Sequence, residues 1–511
     1  MERKRLSGQI RRPTATEIRS LAAMEYMNPN NAELEDLEEV IDRYLSFMDR
    51  LDDLPLPVLE VKYKDRDKGY RPSPEEDPYN VFIRKCNVVG SSSGKLSGKK
   101  IGLKDNICVA NVPMTNGSNM MSNYIPDVDA IVTERLLDAG ATIVGKLNMD
   151  DFAFYGTSET SHYGCVRNPS NPLYSAGGSS GGSGAAVALD EVDISLAVDN
   201  GGSGRIPASW CGVVCIKPTH GLVPTFGVTY LDHITDYVCP TAKSVYEAAL
   251  MLEVIAGDDP RDAQWVRGPI NVDSYTDSIG KDNYKFKIGI VKDSLQEDAI
   301  ESDVLESFQQ SIKTLTKLGF TCEEVEFPLW RDATAIWNGV EAHAVSAMVE
   351  SNLEGFGRGG FCNLSWQDAF GHARISNSDS MPAVLKVLMI VGKYLRREYR
   401  STYFSKAINI RYLMRKKLDK LFDNYDILIT PTMLMKALKL KENPMGIKET
   451  IERAVNAGFN TYPTNVTGNP SLTVPCGIGE NNLPIGIQFI ARHFNESLLF
   501  RIGSTFEEVY K

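Results

Sequence analysis

Apolar residues first recur with helical spacing in "NAELEDLEEVIDRYLSFMDRL", where Leu34, Leu37, Ile41, Tyr44, Leu45, Met48 and Leu51 share one face of a helix. Thr14 and Glu17, upstream, have the spacing of a capping box, so residues 1–63 read as an N-terminal helical extension. The apolar face fits either a helix laid on its own core or a dimer contact. Residues 64–98, rich in Pro, Gly, Ser and charge, read as a connecting segment. From residue 99 to 511 short strand-like runs alternate with helical ones. "KKIGLKDNI", "ATIVGKLN" and "VDISLAVDN" predict strands, and "VDAIVTERLLDAG" predicts a helix stopped at Gly140. The alternation returns with "YKFKIGIVKD", a helix over 302–318 and "FTCEEVEFP". Residues 382–423 read as mostly helical, "YDILITPT" as a strand, and "PSLTVPCGIGENNLPIGIQFIA" as a strand pair ahead of a last helix near 496–509. This is the pattern of an α/β sheet.

Composition narrows the partners. A net charge of −11 over 511 residues argues against a nucleic-acid or anionic-membrane surface, leaving small neutral substrates. No run reaches the roughly 18–20 apolar residues of a membrane span, and the basic start "MERKRLSGQIRR" leads into no apolar segment, which places the protein in the cytoplasm. Nine scattered cysteines suggest buried thiols rather than a disulfide framework, and Cys211 and Cys215 lack the second ligand pair of a metal site.

The candidate chemistry begins at "GGSSGGSG", residues 177–184. A Gly/Ser run is ordinarily a linker, but this one leads into the apolar "AAVAL" and so feeds a buried helix. A phosphate loop would need G-x-x-x-x-G-K-[ST], which "GSSSGK" at 90–95, followed by Leu96, does not supply. A nucleophile elbow is matched literally at 177–181, but the preceding "SNPLYSA" is no buried strand. The better nucleophile is Ser203 in "DNGGSG", where a strand ends in two glycines and consecutive N–H groups can converge on one carbonyl oxygen. All six histidines lie outside both loops, so a base must be sought elsewhere. Lys104, at the end of the apolar "IGL", can serve if burial keeps it neutral; pairing with Asp105 is the plain structural alternative.

"GLKDNI", "AGATIVGKLNMDDFA", "AGGSSGGSGAAVA", "DNGGSGRIPASWCGVV", "KPTHGLVP" and "NVTGNPSLTVPCG" together resemble the amidase signature family across residues 99–505. "VPMTNGS" and "LDHITDYVCPTAKSVYEAALMLEVIAGDDPRD" are most similar to the broad-specificity amidases that accompany nitrile hydratases. The 75 positions from Lys104 to Ser179 and 24 more to Ser203 match the family's lysine, bridging serine and serine triad. The resemblance implies a mixed sheet of about ten or more strands covered by helices on both faces. It implies Ser203 as nucleophile, Ser179 as a bridging serine on a cis peptide after Gly178, and Lys104 as base. It further implies an oxyanion hole from the N–H groups of Asn200, Gly201, Gly202 and Ser203, structural support from Asp199 and Arg205, and a substrate cleft lined by Phe152, Phe154 and Tyr155.

Three positions depart from the family pattern: Gly204 where Ile or Val is usual, and Cys215 and Cys239 where Gly is common. The expectation is that Gly204 opens room behind the nucleophile. The implied activity is cofactor-free, metal-free hydrolysis of a carboxylic amide to acid and ammonia or amine, extending to anilides, esters or carbamates. The implied partners are a small amide and a second copy in a homodimer, without nucleic acid or membrane. The alternative is the glutaminase subunit of a tRNA-dependent amidotransferase. A third reading, a non-catalytic binding module, leaves the filled triad unexplained.

Overall fold

The computed structural model describes residues 10–264, 270–280, 285–296, 298–353, 355, 359–441 and 445–510. Most of the basic start and Tyr284, at the head of a predicted strand, lie outside them. The chain divides into two compact units, Met1–Glu60 and Val61–Lys511.

In the first unit, α1 (Ala15–Met24) opens on the predicted Thr14–Glu17 capping box. The longer α2 (Asn31–Asp52) opens on a second box, in which Asn30 caps Glu33 N–H and Glu33 answers to Asn30 N–H. Of the apolar face expected on α2, Leu34 is buried, whereas Leu37, Tyr44, Met48 and Leu51 are exposed.

The second unit is built on one twelve-stranded mixed sheet flanked by helices. Its strands are β1 (Arg66–Tyr70), β2 (Phe82–Val89), β3 (Lys100–Lys104), β4 (Thr142–Leu147), β5 (Ile194–Asp199), β6 (Val214–Lys217), β7 (Tyr237–Ala242), β8 (Lys287–Val291), β9 (Thr321–Val325), β10 (Ile427–Pro431), β11 (Ser471–Gly479) and β12 (Leu483–Ile490). Their order is β1-β2-β4-β3-β5-β7-β6-β11-β12-β10-β8-β9. The central strands β5, β7, β10 and β12 are buried along their whole length, as near-continuous apolar runs must be when both faces are covered. The edges carry charge instead, "RDKGY" on β1 and "TCEEV" on β9, which discourages further strand pairing.

Residues 64–98 are more than a connection, because β1 and β2 extend the sheet beyond β4. Their alternating polar positions belong to a sheet margin, a weaker signal than a continuous apolar run. β6, β7 and the helix Leu329–Glu350 are also absent from the sequence reading; the two strands are short and interrupted by Cys or Pro. Among the described residues no helix is long and apolar enough to cross a membrane.

One local feature positions the site. β3 runs parallel to both β4 and β5, in register Lys104↔Leu147 and Leu103↔Leu196. The carboxyl ends of three parallel strands therefore emerge together, where α/β sheets ordinarily bind ligands. From those ends come Lys104, the segment after Leu147, and the loop after Asp199.

Candidate active site

Lys104 is the last residue of β3 and completely buried. Its Nζ donates to Ser179 Oγ at 2.7 Å and to Val198 O at 3.2 Å. Burial draws its pKa down to about 8 against the opposing charges of Asp236, Asp150 and Asp199. Asp105, the alternative partner, turns elsewhere: it accepts from Thr115 and lies 3.6 Å from the ammonium of Lys146. Among the described residues Lys104 thus keeps two hydrogen-bond partners and no ion-pair partner, the condition a basic amine requires.

The Gly178–Ser179 peptide is cis. The glycines around it answer mainly to crowding. A Cβ on Gly178 would lie 2.0 Å from Asp150 Oδ2, one on Gly181 would lie 1.8 Å from Ser158 Oγ, and one on Gly182 would lie 2.6 Å from Asn148 N. Only Gly177 in this stretch has a left-handed backbone, at φ +81°. Asp150 organises the cradle. Its N–H donates to Ser179 O at 3.1 Å, and its carboxyl accepts from Ser158 N–H, Thr160 N–H and Thr160 Oγ1. Burial raises that carboxyl to about 6 despite these bonds.

Ser203 follows β5 by four residues, in a loop closed by an Asp199–Arg205 pair with both side chains fully buried. Asp199 accepts from the N–H groups of Gly202 (2.8 Å), Gly204 (3.1 Å) and Arg205 (3.3 Å), and from Arg205 Nε and Nη2 at 2.9 Å each. Burial opposes its negative charge, but the Arg205 guanidinium and Asn465 hold the carboxyl far below the usual range. Arg205 reaches on to Thr461 O, Thr464 Oγ1, Gln488 Oε1 and Asn465 Oδ1. Charge-assisted bonds of this kind orient a backbone as well as stabilise it. The serine loops meet where Ser180 N–H donates to Ser203 O at 3.2 Å.

The expected oxyanion hole needs one correction. The Gly202 N–H is already taken by Asp199, so the expectation reduces to Asn200, Gly201 and Ser203. Gly201 is tightly covered: a Cβ there would lie 2.8 Å from the Tyr462 ring and 3.3 Å from that of Trp337. These two rings pack at 4.6 Å.

Gly204 also differs from expectation. A Cβ on it would point to Cys215 Sγ at 3.2 Å and Cys239 Cβ at 3.3 Å, both thiol side chains being buried in one core cluster with Ala197. The three departures from the family pattern are therefore one packing exchange, in which two cysteines fill the volume that a branched side chain at 204 would occupy. No room opens behind the nucleophile. Gly204→Val should accordingly cost about 1–3 kcal/mol by overpacking, and adding Cys215→Gly should recover part of the loss. Urea unfolding of the double-mutant cycle decides; strictly additive effects would refute the exchange.

Phe152 and Phe154 lie in the main core, Phe152 edge-on to Phe370 at 5.6 Å. Tyr155 is buried with its hydroxyl donating to Thr450 O. The sequence reading did not single out Asp150, Asn465 or Thr461, although each lies in or beside a quoted motif. Their signal is polarity inside an apolar context, visible in "LNMDDFA" and "NVTGNP".

The Amidase family model matches residues 83–500. The A-type subunit of glutamyl-tRNA(Gln) amidotransferase from Haloarcula marismortui is 36% identical over 434 residues, covering 83% of this chain and 99% of that one. The crystal structure of the corresponding A-type subunit from Thermotoga maritima superposes with a TM-score of 0.71 at 31% identity, over 84% of this chain and 88% of that one. Peptide amidase from Stenotrophomonas maltophilia gives a TM-score of 0.66 at 26% identity, over 82% and 83%. Two of these relatives are named as one subunit of an amidotransferase, and this overturns the expectation of a homodimer. Since the match runs from β2 into the last helix and takes in every segment that builds the site, the chain belongs to the amidase family.

Proposed function

We propose that the chain cleaves the C–N bond of a carboxylic amide through an acyl-enzyme on Ser203, and that it does so as the amide-hydrolysing, A-type subunit of an amidotransferase. The observation that carries the chemistry is the 2.7 Å contact between a buried lysine and Ser179. Neutral Lys104 takes the proton of Ser179 Oγ while Ser179 takes that of Ser203 Oγ, which attacks the amide carbon. N–H groups of Asn200, Gly201 and Ser203 stabilise the resulting oxyanion. The proton then returns along the same chain to the amine nitrogen, the C–N bond breaks, and water or another acceptor releases the acyl group. The hydrogen bonds that the Asp199 carboxylate accepts from the Gly202 and Gly204 N–H groups keep the loop fixed throughout. The proposed place in a complex rests on relatives matched over nearly their entire length.

A second reading, a self-sufficient amidase acting on amides, anilides, esters or carbamates, is favoured by the likeness to peptide amidase. The two are separated by assaying the purified chain with glutamine and with benzamide. Glutamine turnover that depends on an added companion protein supports the first reading. Efficient hydrolysis of benzamide by the lone chain rejects it. In either case the rate should climb with pH through about 8 as Lys104 loses its proton. A pH–rate profile with its optimum near ~5 would remove the lysine from the mechanism.

A further inference from the structure

Behind the nucleophile loop lies a group of buried acids that the relay does not use. Asp232 and Asp236 stand in the loop before β7, Glu341 stands on the helix Leu329–Glu350, and none is more than 2% exposed. Asp232 contacts both Thr235 and Asn200, Asp236 contacts Asn200 and Glu341 contacts Thr235. Thr235 Oγ1 lies 2.9 Å from Glu341 Oε1 and also contacts Asp232 Oδ2. A hydroxyl carries one proton and can donate to only one of these carboxyl groups, so the other contact is a hydrogen bond only if that acid brings a proton of its own.

The surroundings say which acid that is. Asp232 accepts from the N–H groups of Ile234 and Thr235 and from Asn200 Nδ2 at 3.0 Å, the company of an ionised carboxylate. Asp236 accepts from Leu231 N–H, Asp232 N–H and, at 3.3 Å, Asn200 Nδ2. Among the described residues Glu341 Oε2 is buried without a hydrogen-bond partner, a position far more costly for a charged oxygen than for a neutral one. The proton belongs on Glu341.

Asn200 is gripped from its other side as well. Trp337 Nε1 donates to Asn200 O at 3.3 Å and to its Oδ1 at 3.2 Å. Trp337 and Glu341 are four residues apart on one helix, hence on one face. A single helix face therefore holds the residue at the head of the expected oxyanion loop and closes the acid group behind it.

We propose that Asp232, Asp236 and a protonated Glu341 act as positioning residues that hold Asn200, and with it the head of the oxyanion loop, in place beside Ser203. This rests on the assignment of Ser203 and Lys104 made above. After burial, Asp236 is the leading influence on Lys104, favouring its charged form. Burial and then the neighbouring charge of Asp232 push Asp236 itself up to about 7, and the same two causes raise Glu341 well above the usual range. The charged and titratable groups that interact with Asp236 are Asp232 from its own loop, Glu341 from the helix and Lys104 from β3.

Infrared difference spectroscopy on the full chain tests the proton without turnover. The wild type should show the carbonyl stretch of a protonated carboxylic acid that Glu341→Gln lacks; an unchanged spectrum overturns the protonation of Glu341. In activity, Glu341→Gln should retain at least about ten times the kcat/KM of Glu341→Leu, because an amide keeps a donor in place of the acid proton. Asp232→Asn should lower kcat by about tenfold or more with a smaller change in KM, since it turns an acceptor of Asn200 into a competing donor. Asp236→Asn should move the rising limb of the pH profile to lower pH by about one unit, and a limb left in place overturns the coupling to Lys104. Asp236→Asn keeps the test decisive if Asp232→Asn fails to fold. Full turnover by Ser203→Ala would instead defeat the underlying assignment and leave the infrared result to judge the proton on its own.

Discussion

Ser203→Ala is expected to lower kcat/KM by about a thousandfold or more and to abolish labelling by a fluorophosphonate, with thermal unfolding unchanged. The physical reason is local. Ser203 is largely buried, and the backbone on either side is fixed by Asp199 through the N–H groups of Gly202 and Gly204. Removing one oxygen therefore disturbs no hydrogen bond of that frame. A serine with a merely structural place would show the opposite pattern, retaining turnover and losing stability. Labelling adds an independent reading, because the probe reports nucleophilicity without an amide substrate. Retention of most of the activity would end the assignment of Ser203, whatever the fate of the rest of the relay.

Lys104→Ala is the second large effect, and its signature differs. Turnover should fall by about two to four orders of magnitude, the usual worth of a general base, and the rising limb expected of the wild type near pH 8 should disappear. The sign follows from burial. The folded environment disfavours the ammonium and draws the pKa down to about 8, so the amine, still the minority form at neutral pH, becomes dominant just above it. Below it, the charged lysine can hydrogen-bond Ser179 but cannot accept its proton. Loss of rate with the limb intact would show that another group titrates. A fall of less than tenfold would point to a different base altogether.

The strands that build the site are readable because they are apolar runs bounded by polar turns: "KIGLK", "TIVGKL" and "ISLAVD" each form a strand within three residues of the expected limits. Less was legible where one face of a strand lies at a margin, as in β1 and β2, or where Cys and Pro interrupt the pattern, as in β6 and β7. The reading brought Lys104 and Ser179 together across 75 positions, and they meet at hydrogen-bond distance. It could not see that Gly202 N–H is held by Asp199, because a motif names residues and not the direction of an amide. Nor could it see that the glycine stretch answers to the bulk of Asp150, Ser158 and Asn148, which press on it from another segment. The Gly204, Cys215 and Cys239 exchange was hidden for a similar reason. Each looks like an isolated oddity along the chain, and only the adjacency of β5, β6 and β7 turns the three into one compensated volume.

The reach of Arg205 has a consequence for the time at which the enzyme becomes an enzyme. Its guanidinium joins the nucleophile loop to Thr461, Thr464, Asn465 and Gln488, residues 256 to 283 positions further along the chain. Until those residues have been synthesised and folded, a buried arginine lacks the acceptors on one side of its fork, and the loop it steadies has no fixed shape. A nascent chain arrested before residue 460 would thus carry all three residues of the proposed relay and is expected to remain inert. Supplying the missing C-terminal piece as a separate fragment would switch it on.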